Sequence, residues 1–508
     1  MKNRFSEENI YLDKWVENRF WKDNIFPKKE KEEKSLPSYE EVKKILPEPF
    51  WENNETAIQC WNKTWELAFK NLRRPSLSNN FITNYIDTAF NDNLFMWDSC
   101  FILMFCRYAR RAFDFQKTLD NFYSLQHPDG FICREIREKD GSDRFHRFDP
   151  SSTGPNIFAW CEWEHYLNTG DTERLKKIFF PLAAYHEWMR IYRTWQDGTL
   201  WSTGWGCGMD NQPRTPIDYN PIFQHGHMSW IDTTCQHILS AKILAMIAEK
   251  IGLKQEIDNF LKEAEKLTLI VNKKFWDKKK NFYFDRFRDG SLSNVMTVGA
   301  FWALLAGIVP KNKLLKFVSH LKDKKSFNRP HRVPALSKEN KAYSPDGDYW
   351  NGGVWAPTNY MVLRGLTKNQ FDDLAFEIAS NHYFNVLEVF KETNTLWENY
   401  APEKVSFGNP AKKDFVGWSG LTPVAVLLEY IFGLRPDASK KILVWDIRLT
   451  DAHGIKRYPF GKDGVIDLFC ERRSSQKEEP KISISSTIPL NIEIRWLKGK
   501  KIIPVKPL

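Results

Sequence analysis

Residues 229–275 read SWIDTTCQHILSAKILAMIAEKIGLKQEIDNFLKEAEKLTLIVNKKF. Apolar side chains recur at i, i+3, i+4 and i+7 on both sides of Gly252, the signature of two helices meeting at a tight turn. The same texture extends outward from this pair, from about residue 50 to about 435. Its spacing predicts helices over 53–72, 97–113, 115–126, 156–168, 172–195, 229–251, 253–275, 295–308, 311–322, 353–366, 370–390 and 415–432. Some are joined by short turns such as Gly170-Asp171. Others are joined by long connections rich in Gly, Pro, Asp and Trp, at 127–155, 197–228, 324–352 and 393–414. Short turns alternating with long loops are what helix hairpins arranged in a ring would give, with the long loops gathered at one end. Long loops in a compact domain are usually functional. A helical solenoid is the competing all-α arrangement, and no repeat motif supports it.

The flanks differ. Residues 1–45 are polar with sparse aromatics (Tyr11, Trp15, Phe20, Trp21, Phe26), which predicts one amphipathic helix and a charged linker closed by Pro37 and Ser38. After about residue 436 the period becomes two, in Leu443–Leu449, Ile482–Ser485 and Asn491–Trp496, which predicts a small antiparallel β unit. At this size it is expected to pack on the helical body rather than fold alone. The expected organisation is mainly α: an extension over 1–45, a helical ring over 46–435 and a β unit over 436–508.

Composition excludes several classes. With 42% apolar and 27% charged residues, the chain of 508 residues is globular rather than disordered. The outlier is the aromatic share, 15% with 21 Trp. Such rings pack cores, and their faces also stack on sugars. The net charge of +10 is spread over short runs mixed with acids, as in Lys28–Lys34, so it speaks for solubility and against a nucleic-acid partner. The eight Cys form no CxxC pair, which suggests buried free thiols and a reducing compartment. The N-terminal MKNRFSEENIYLDKW lacks an apolar signal core, and the stretch Val298–Pro310 is too short to span a bilayer. A cytoplasmic protein without a membrane partner is expected, and a homo-oligomer is compatible with the sequence.

The long loops and adjoining helix starts hold seven clusters. Phe95-Met-Trp97-Asp98-Ser99 opens a very apolar helix; an Asp there is commonly an N-cap, and the preceding Trp makes a sugar-facing pair. Gln126-His-Pro-Asp-Gly130, running on to Arg134 and Glu135, carries a turn signal, as does Asp149–Asn156. Gly204-Trp205-Gly-Cys207-Gly208-Met-Asp210-Asn211-Gln-Pro-Arg214 places an Asp among glycines and beside Trp205. Glycines let a backbone approach a ligand closely. Burial would disfavour the charged form of Asp210, as a general acid requires, although an Asx-turn is the plainer account. Gly347-Asp-Tyr349-Trp350-Asn351-Gly-Gly-Val-Trp355-Ala-Pro-Thr-Asn359-Tyr360 is too polar and aromatic for plain core and reads as a binding wall. Leu396-Trp-Glu398-Asn-Tyr400 sets a carboxylate between rings, and Phe415-Val-Gly-Trp418-Ser-Gly420 opens the last helix.

Glycosidic hydrolysis needs two carboxylates, one donating a proton to the leaving oxygen and one activating water or attacking the sugar. Asp210 and Glu398 are the strongest candidates. Other chemistries lack their motifs: no GxxxxGK[ST], no GxGxxG after a strand and no GxSxG. His225-Gly-His227 with His237 has no matching carboxylate spacing, so no metal and no cofactor are expected. His227 is read as a substrate contact or as the cap of the helix near Ser229.

Taken in order, FMWDSCF, QHPDGFICRE, GMDNQPR, DYWNGGVWAPTNY, LWENYAP and GWSGL resemble the (α/α)6-barrel glycosidases of glycoside hydrolase family 63 and the related trehalases, and most of all the bacterial mannosylglycerate-hydrolase-like branch. The resemblance covers roughly residues 90–435. It implies an (α/α)6 toroid and an inverting, exo-acting α-glycosidase releasing a terminal α-linked glucose or mannose without a cofactor. It implies Asp210 as general acid and Glu398 as the general base that activates water. It also implies a sugar pocket built by Trp97 and Asp98, with Trp350, Asn351, Trp355 and Asn359 as its wall and Trp418 at its floor. Asp98 and Asn351 would bind hydroxyls and Trp355 would stack. Arg134, Asn211 and Tyr400 within these motifs, with Trp205 and His227, complete the expected substrate-binding set. At Gly204–Gly208 close relatives often show a Glu-Ser pair, so Cys207 is expected to bear on the leaving group. The extra domain of the eukaryotic processing glucosidase is absent, so its role does not carry over. The alternatives are a non-catalytic glycan-binding barrel, or another (α/α)6 sugar enzyme such as an epimerase or lyase.

Overall fold

The computed structural model describes residues 16–32, 34–88 and 91–507. Its helices are α1 (Glu55–Lys70), α2 (Met96–Cys106), α3 (Thr118–Ser124), α4 (Phe158–Thr169), α5 (Thr172–Tyr192), α6 (Ile231–Ile251), α7 (Lys254–Lys274), α8 (Trp302–Leu305), α9 (Lys311–Ser319), α10 (Ala356–Lys368), α11 (Asp372–Thr393) and α12 (Thr422–Ile431). The last is wound with the wider π turn.

The even-numbered helices form the inner ring. α2 contacts α4, α4 contacts α6, and the order continues through α8, α10 and α12; the turn Trp418–Leu421 leading into α12 closes back onto α2. α1, α3, α5, α7 and α11 back onto this ring from outside. α9 reaches it through Phe317, whose ring lies 5.0 Å from Phe301, just ahead of α8. The architecture is an (α/α)6 toroid.

The pair α6–α7 shows how sequence makes the two layers. Gly252 ends α6 at φ +83°, a conformation costly for any residue with a Cβ. The outer helix α7 buries Phe260, Ala264, Leu267 and Val271, one stripe at helical spacing. The inner helix α6 is buried nearly all round from Ile231 to Ala248, polar residues included, because both ring neighbours and the outer layer cover it.

Several predicted helices are shorter than expected. The 97–113 and 115–126 stretches give way to single 3-10 turns at Arg107–Ala109 and Phe115–Lys117. The 295–308 helix is a 3-10 turn, Val298–Phe301, followed by the four residues of α8. Apolar spacing marked these segments, and in segments this rich in apolar residues spacing does not separate one turn from three.

Before α1, the described residues of the extension hold 3-10 turns at Trp21–Asp23 and Phe26–Lys28 and a four-residue helix, Tyr39–Val42, rather than one amphipathic helix. Tyr11 and Trp15 lie outside the described residues. The extension is pinned by polar contacts: Asn18 to Glu187, Arg19 to Glu256 and the Trp21 indole to the Gln126 carbonyl.

Two four-stranded sheets make the β region. The strands are β1 (Glu48–Trp51), β2 (Leu434–Asp437), β3 (Ile442–Asp446), β4 (His453–Phe460), β5 (Gly464–Cys470), β6 (Ile482–Ser486), β7 (Leu490–Trp496) and β8 (Gly499–Val505). Their orders are β1-β4-β5-β6 and β8-β7-β3-β2. Two features were not expected. β1 comes from ahead of the barrel, pairing Glu48 with Lys456 and Trp51 with His453. β3 and β7 pair in parallel, whereas the other pairs are antiparallel.

Candidate active site

The loops entering five of the six inner helices, α2, α4, α6, α10 and α12, meet around one cavity of about 330 Å³. Its walls come from Asn91–Asp98 ahead of and into α2, Arg134–Pro155 before α4, Trp205–Asp210 before α6, Tyr349 and Trp350 before α10, and Trp418 before α12. The volume is at the small end for ligand sites.

The loop carrying Asp210 is built stiffly. A single helical turn, Gly204–Cys207, is capped by Thr203, whose hydroxyl accepts from Gly206 N, and ends at Gly208 with φ +78°. A Cβ on Gly208 would sit 2.9 Å from the Trp97 indole, so only glycine lets the loop lie against that ring. Downstream, Gln212 Nε2 donates to the Ala335 carbonyl at 2.7 Å. Arg214, fully buried, forks onto Asp232 (2.5 and 2.8 Å) and Asp285 (two bonds of 2.8 Å). Between these anchors Asp210 reaches the cavity. Burial, reinforced by the charges of Glu135 and Glu398 and opposed by Arg134, pushes its carboxyl up to about 7.

Glu398 is 3% exposed and stands behind the cavity wall. Tyr349, which lines the cavity, donates its hydroxyl to Glu398 Oε1 at 3.2 Å. Lys412 N donates to Oε2 at 3.1 Å, and the Trp418 indole fixes the Glu398 carbonyl at 2.9 Å. Burial raises this carboxyl too, opposed by the donors from Lys412 and Tyr349. The two carboxylates are in electrostatic reach of one another.

Asp98 is buried at the start of α2, and burial with the charges of Asp87, Glu135 and Glu398 lifts it well above the carboxylate range. Its Oδ1 and the Trp97 indole N–H have no hydrogen-bond partner among the described residues. Both residues line the cavity. Arg134 pairs with Glu135 at 2.5 Å, its guanidinium 4.6 Å from the Phe145 ring and 5.4 Å from Trp205.

Of the expected residues, the cavity therefore gathers Trp97, Asp98, Arg134, Trp205, Asp210, Trp350 and Trp418. Six others are placed elsewhere. Trp355 stacks behind Trp350 (centroids 3.9 Å, planes 4° apart), so it supports the wall without reaching the cavity. Asn359 is buried with Nδ2 on the Val333 and Trp355 carbonyls, and Asn351 Nδ2 is on Asp348 Oδ2. Asn211 spends both ends of its amide on the backbone of 348 and 350. Tyr400 is buried, its oxygen accepting from Trp397 N. His227 packs with His225 and Tyr219, ring centroids 4.7 and 5.7 Å away. Cys207 is buried as well, its Sγ facing the Gly204 carbonyl and Arg214, so the cavity presents Trp205 and Gly208 from that turn.

Sequence reasoning passed over Tyr349, Glu135, Asn93, Arg144 and Phe145, which also line the cavity. Tyr349 and Glu135 stood inside quoted clusters; Asn93 precedes one, and Arg144 and Phe145 lie in a long loop with no periodic signal.

His237 does not join His225 and His227. It stacks on His186 (centroids 3.8 Å). Asn156 Nδ2 lies 3.1 Å from both Nδ1 atoms, and Glu263 takes the two Nε2 atoms at 3.3 and 3.1 Å. The spacing of these three side chains could hold a metal ion, but every ring nitrogen is already hydrogen-bonded and the parallel rings do not converge on a point.

A toroid whose helix-entry loops enclose a carboxylate-rich, Trp-walled cavity defines a barrel glycosidase. The chain belongs to the mannosylglycerate hydrolase MGH1-like glycoside hydrolase domain family, whose model matches residues 91–419. It is a glycoside hydrolase. A mannosylglycerate hydrolase of Thermus thermophilus is 22% identical over 355 residues, 56% of this chain and 84% of that protein. A probable mannosyl-oligosaccharide glucosidase of Schizosaccharomyces pombe is 22% identical over 410 residues, 74% of this chain; the chain spans only 47% of that relative's length. A crystal structure of a family 63 mannosylglycerate hydrolase from Thermus thermophilus in complex with glucose superposes with a TM-score of 0.58 at 19% identity, covering 72% of this chain and 99% of the other. Among the described residues no helix is long and apolar enough to cross a membrane.

Proposed function

We infer that the chain is an inverting, exo-acting α-glycosidase that releases a terminal α-linked glucose or mannose from a small glycoside or oligosaccharide. The carrying observation is the unequal dressing of two neighbouring carboxyls. Asp210 is buried among like charges, which holds its proton to about pH 7. Burial raises the Glu398 carboxyl as well, but there the Lys412 N–H and the Tyr349 hydroxyl donate to it and oppose the rise. Asp210 then gives its proton to the glycosidic oxygen as the bond to the anomeric carbon breaks. Glu398 takes a proton from a water that attacks the opposite face, and the product leaves with inverted configuration. Asp98 Oδ1 accepts from a sugar hydroxyl, the Trp97 indole donates to another, and Trp350 and Trp418 present ring faces. The small cavity suits one sugar residue and hence a chain end.

The lyase or epimerase alternative needs His or Tyr as proton carrier. Among the described residues no histidine lines the cavity. The Tyr349 hydroxyl is pushed far above its ordinary range by burial and by the charges of Asp210, Glu398 and Asp98, which makes it a poor base.

The reading is tested with Asp210→Asn and Glu398→Gln on a panel of α-linked disaccharides and glycosylglycerates. Each variant should lose about 10²–10⁴-fold in turnover, and proton NMR of the first product should show the β-anomer. Near-wild-type turnover in either variant removes that role, and an initial α-anomer excludes inversion.

A further inference from the structure

Tyr349 is held in a backbone conformation that its own segment does not favour. Asp348 stands at φ +38° and Tyr349 at φ +61°, two adjacent non-glycine residues in the left-handed region. Bulky side chains rarely occupy it and do so only where the surroundings impose it.

The imposing group is the residue after the acid. Asn211 Nδ2 donates to the Asp348 carbonyl at 3.0 Å, and Asn211 Oδ1 accepts from Trp350 N at 2.9 Å. These two backbone groups flank Tyr349, so one amide brackets it from both sides. From behind, the Tyr349 carbonyl accepts from Gly353 N at 3.1 Å and from the Trp355 indole at 3.3 Å. The side chain is thereby aimed at Glu398 Oε1. Only an amide supplies one donor and one acceptor at this spacing; a carboxylate lacks the donor.

We propose that Asn211 is a positioning residue for the water-activating carboxylate: it locks Tyr349 in its left-handed conformation and so ties the loop carrying Asp210 to the hydroxyl that orients Glu398. The proposal rests on the reading of Asp210 and Glu398 given above. It explains why a polar residue next to the acid turns both its amide nitrogen and its amide oxygen to a distant loop. Acid and base then cannot drift apart independently.

The charged and titratable groups facing Tyr349 are Asp210, Glu398 and Asp98, and Lys412 faces Glu398 from the other side. Losing the Tyr349 donor raises the Glu398 carboxyl, so the acid limb of kcat/KM moves up by about one pH unit, the tenfold effect of a hydrogen bond to a charged group. The experiment compares wild type, Tyr349→Phe, Asn211→Ala and the double variant on whichever disaccharide of the panel turns over fastest. Asn211→Ala should move the acid limb in the same direction as Tyr349→Phe, although asparagine does not titrate. In the Tyr349→Phe background it should add nothing. A limb left in place, or shifts that add in the double variant, overturns the proposal. A merely structural role would lower Tm and leave the limb where it is. A crystal structure of Asn211→Ala tests the same point without turnover: the Tyr349 hydroxyl should leave hydrogen-bond distance of Glu398, and an unmoved Tyr349 refutes the tie. If Glu398→Gln kept full activity, the assignment of the base would fall while a displaced Tyr349 still stood.

Discussion

Replacing Asp210 by Asn should stabilise the protein while disabling it, and the gain should depend on pH. Asp210 holds its proton to about pH 7, against 3.8 for an unburied side chain. In the unfolded chain it ionises near its ordinary pKa. The folded pKa lies above the unfolded one, so the penalty is absent below about pH 4, grows between about 4 and 7, and is complete above that. At roughly 1.4 kcal/mol per unit, a shift of about three units costs folding about 4 kcal/mol at alkaline pH. Asn has the shape of the protonated acid and carries no charge. With an unfolding entropy of roughly 2 cal/mol/K per residue, a chain of 508 residues has about 1 kcal/mol/K, so Tm should rise by about 4 °C at pH 8 if the chain melts as one unit. At pH 4.5 only about 1 kcal/mol of this penalty has developed, so the margin should shrink to about 1 °C. Scanning calorimetry of both proteins at both pH values decides it. An Asn variant no more stable at pH 8, or one with the same margin at pH 4.5, would show that the carboxyl is not held protonated. The physical basis for calling it the acid would then be gone.

Three further outcomes follow from the same contacts. Arg134 is the charge that most lowers Asp210; Arg134→Met should move the alkaline limb of kcat/KM to higher pH, and a limb that moves down contradicts the arrangement. Arg214 is buried between Asp232 and Asp285, so Arg214→Leu leaves two carboxylates unpaired and should cost about 3–5 kcal/mol, read as a fall in Tm of several degrees; an unchanged Tm refutes the anchor. Gly208→Ala must place a Cβ at φ +78° and 2.9 Å from the Trp97 indole; it should lose roughly 1–3 kcal/mol of stability and lower kcat/KM as Asp210 is displaced.

The ring was legible because helical spacing and the alternation of short and long connections survive in sequence. α7 shows a clean apolar stripe, and Gly252 marks its junction with α6. The β region was half legible. β4 carries a register irregularity between Ile455 and Tyr458, with Arg457 at φ +59°, which breaks the period of two. β1 was hidden because four residues ahead of a helix carry no sign of a partner four hundred residues away.

At the site, sequence identified which segments meet but not which face each side chain takes. A helix assigns faces by period; a loop has none. Trp350 and Trp355 look alike in the sequence, yet one lines the cavity and the other backs it. The same reason hid Tyr349. Its place depends on a left-handed backbone, and that backbone depends on hydrogen bonds from Asn211, 138 positions upstream of Tyr349. Residues adjacent to a reactive group in sequence therefore need not touch its ligand. Asn211 sits beside Asp210, yet its amide nitrogen and oxygen both bond to the backbone of the opposite wall. The polar density of these motifs reflects the struts as much as the surface they hold, and the two separate only when the partner of each donor is known.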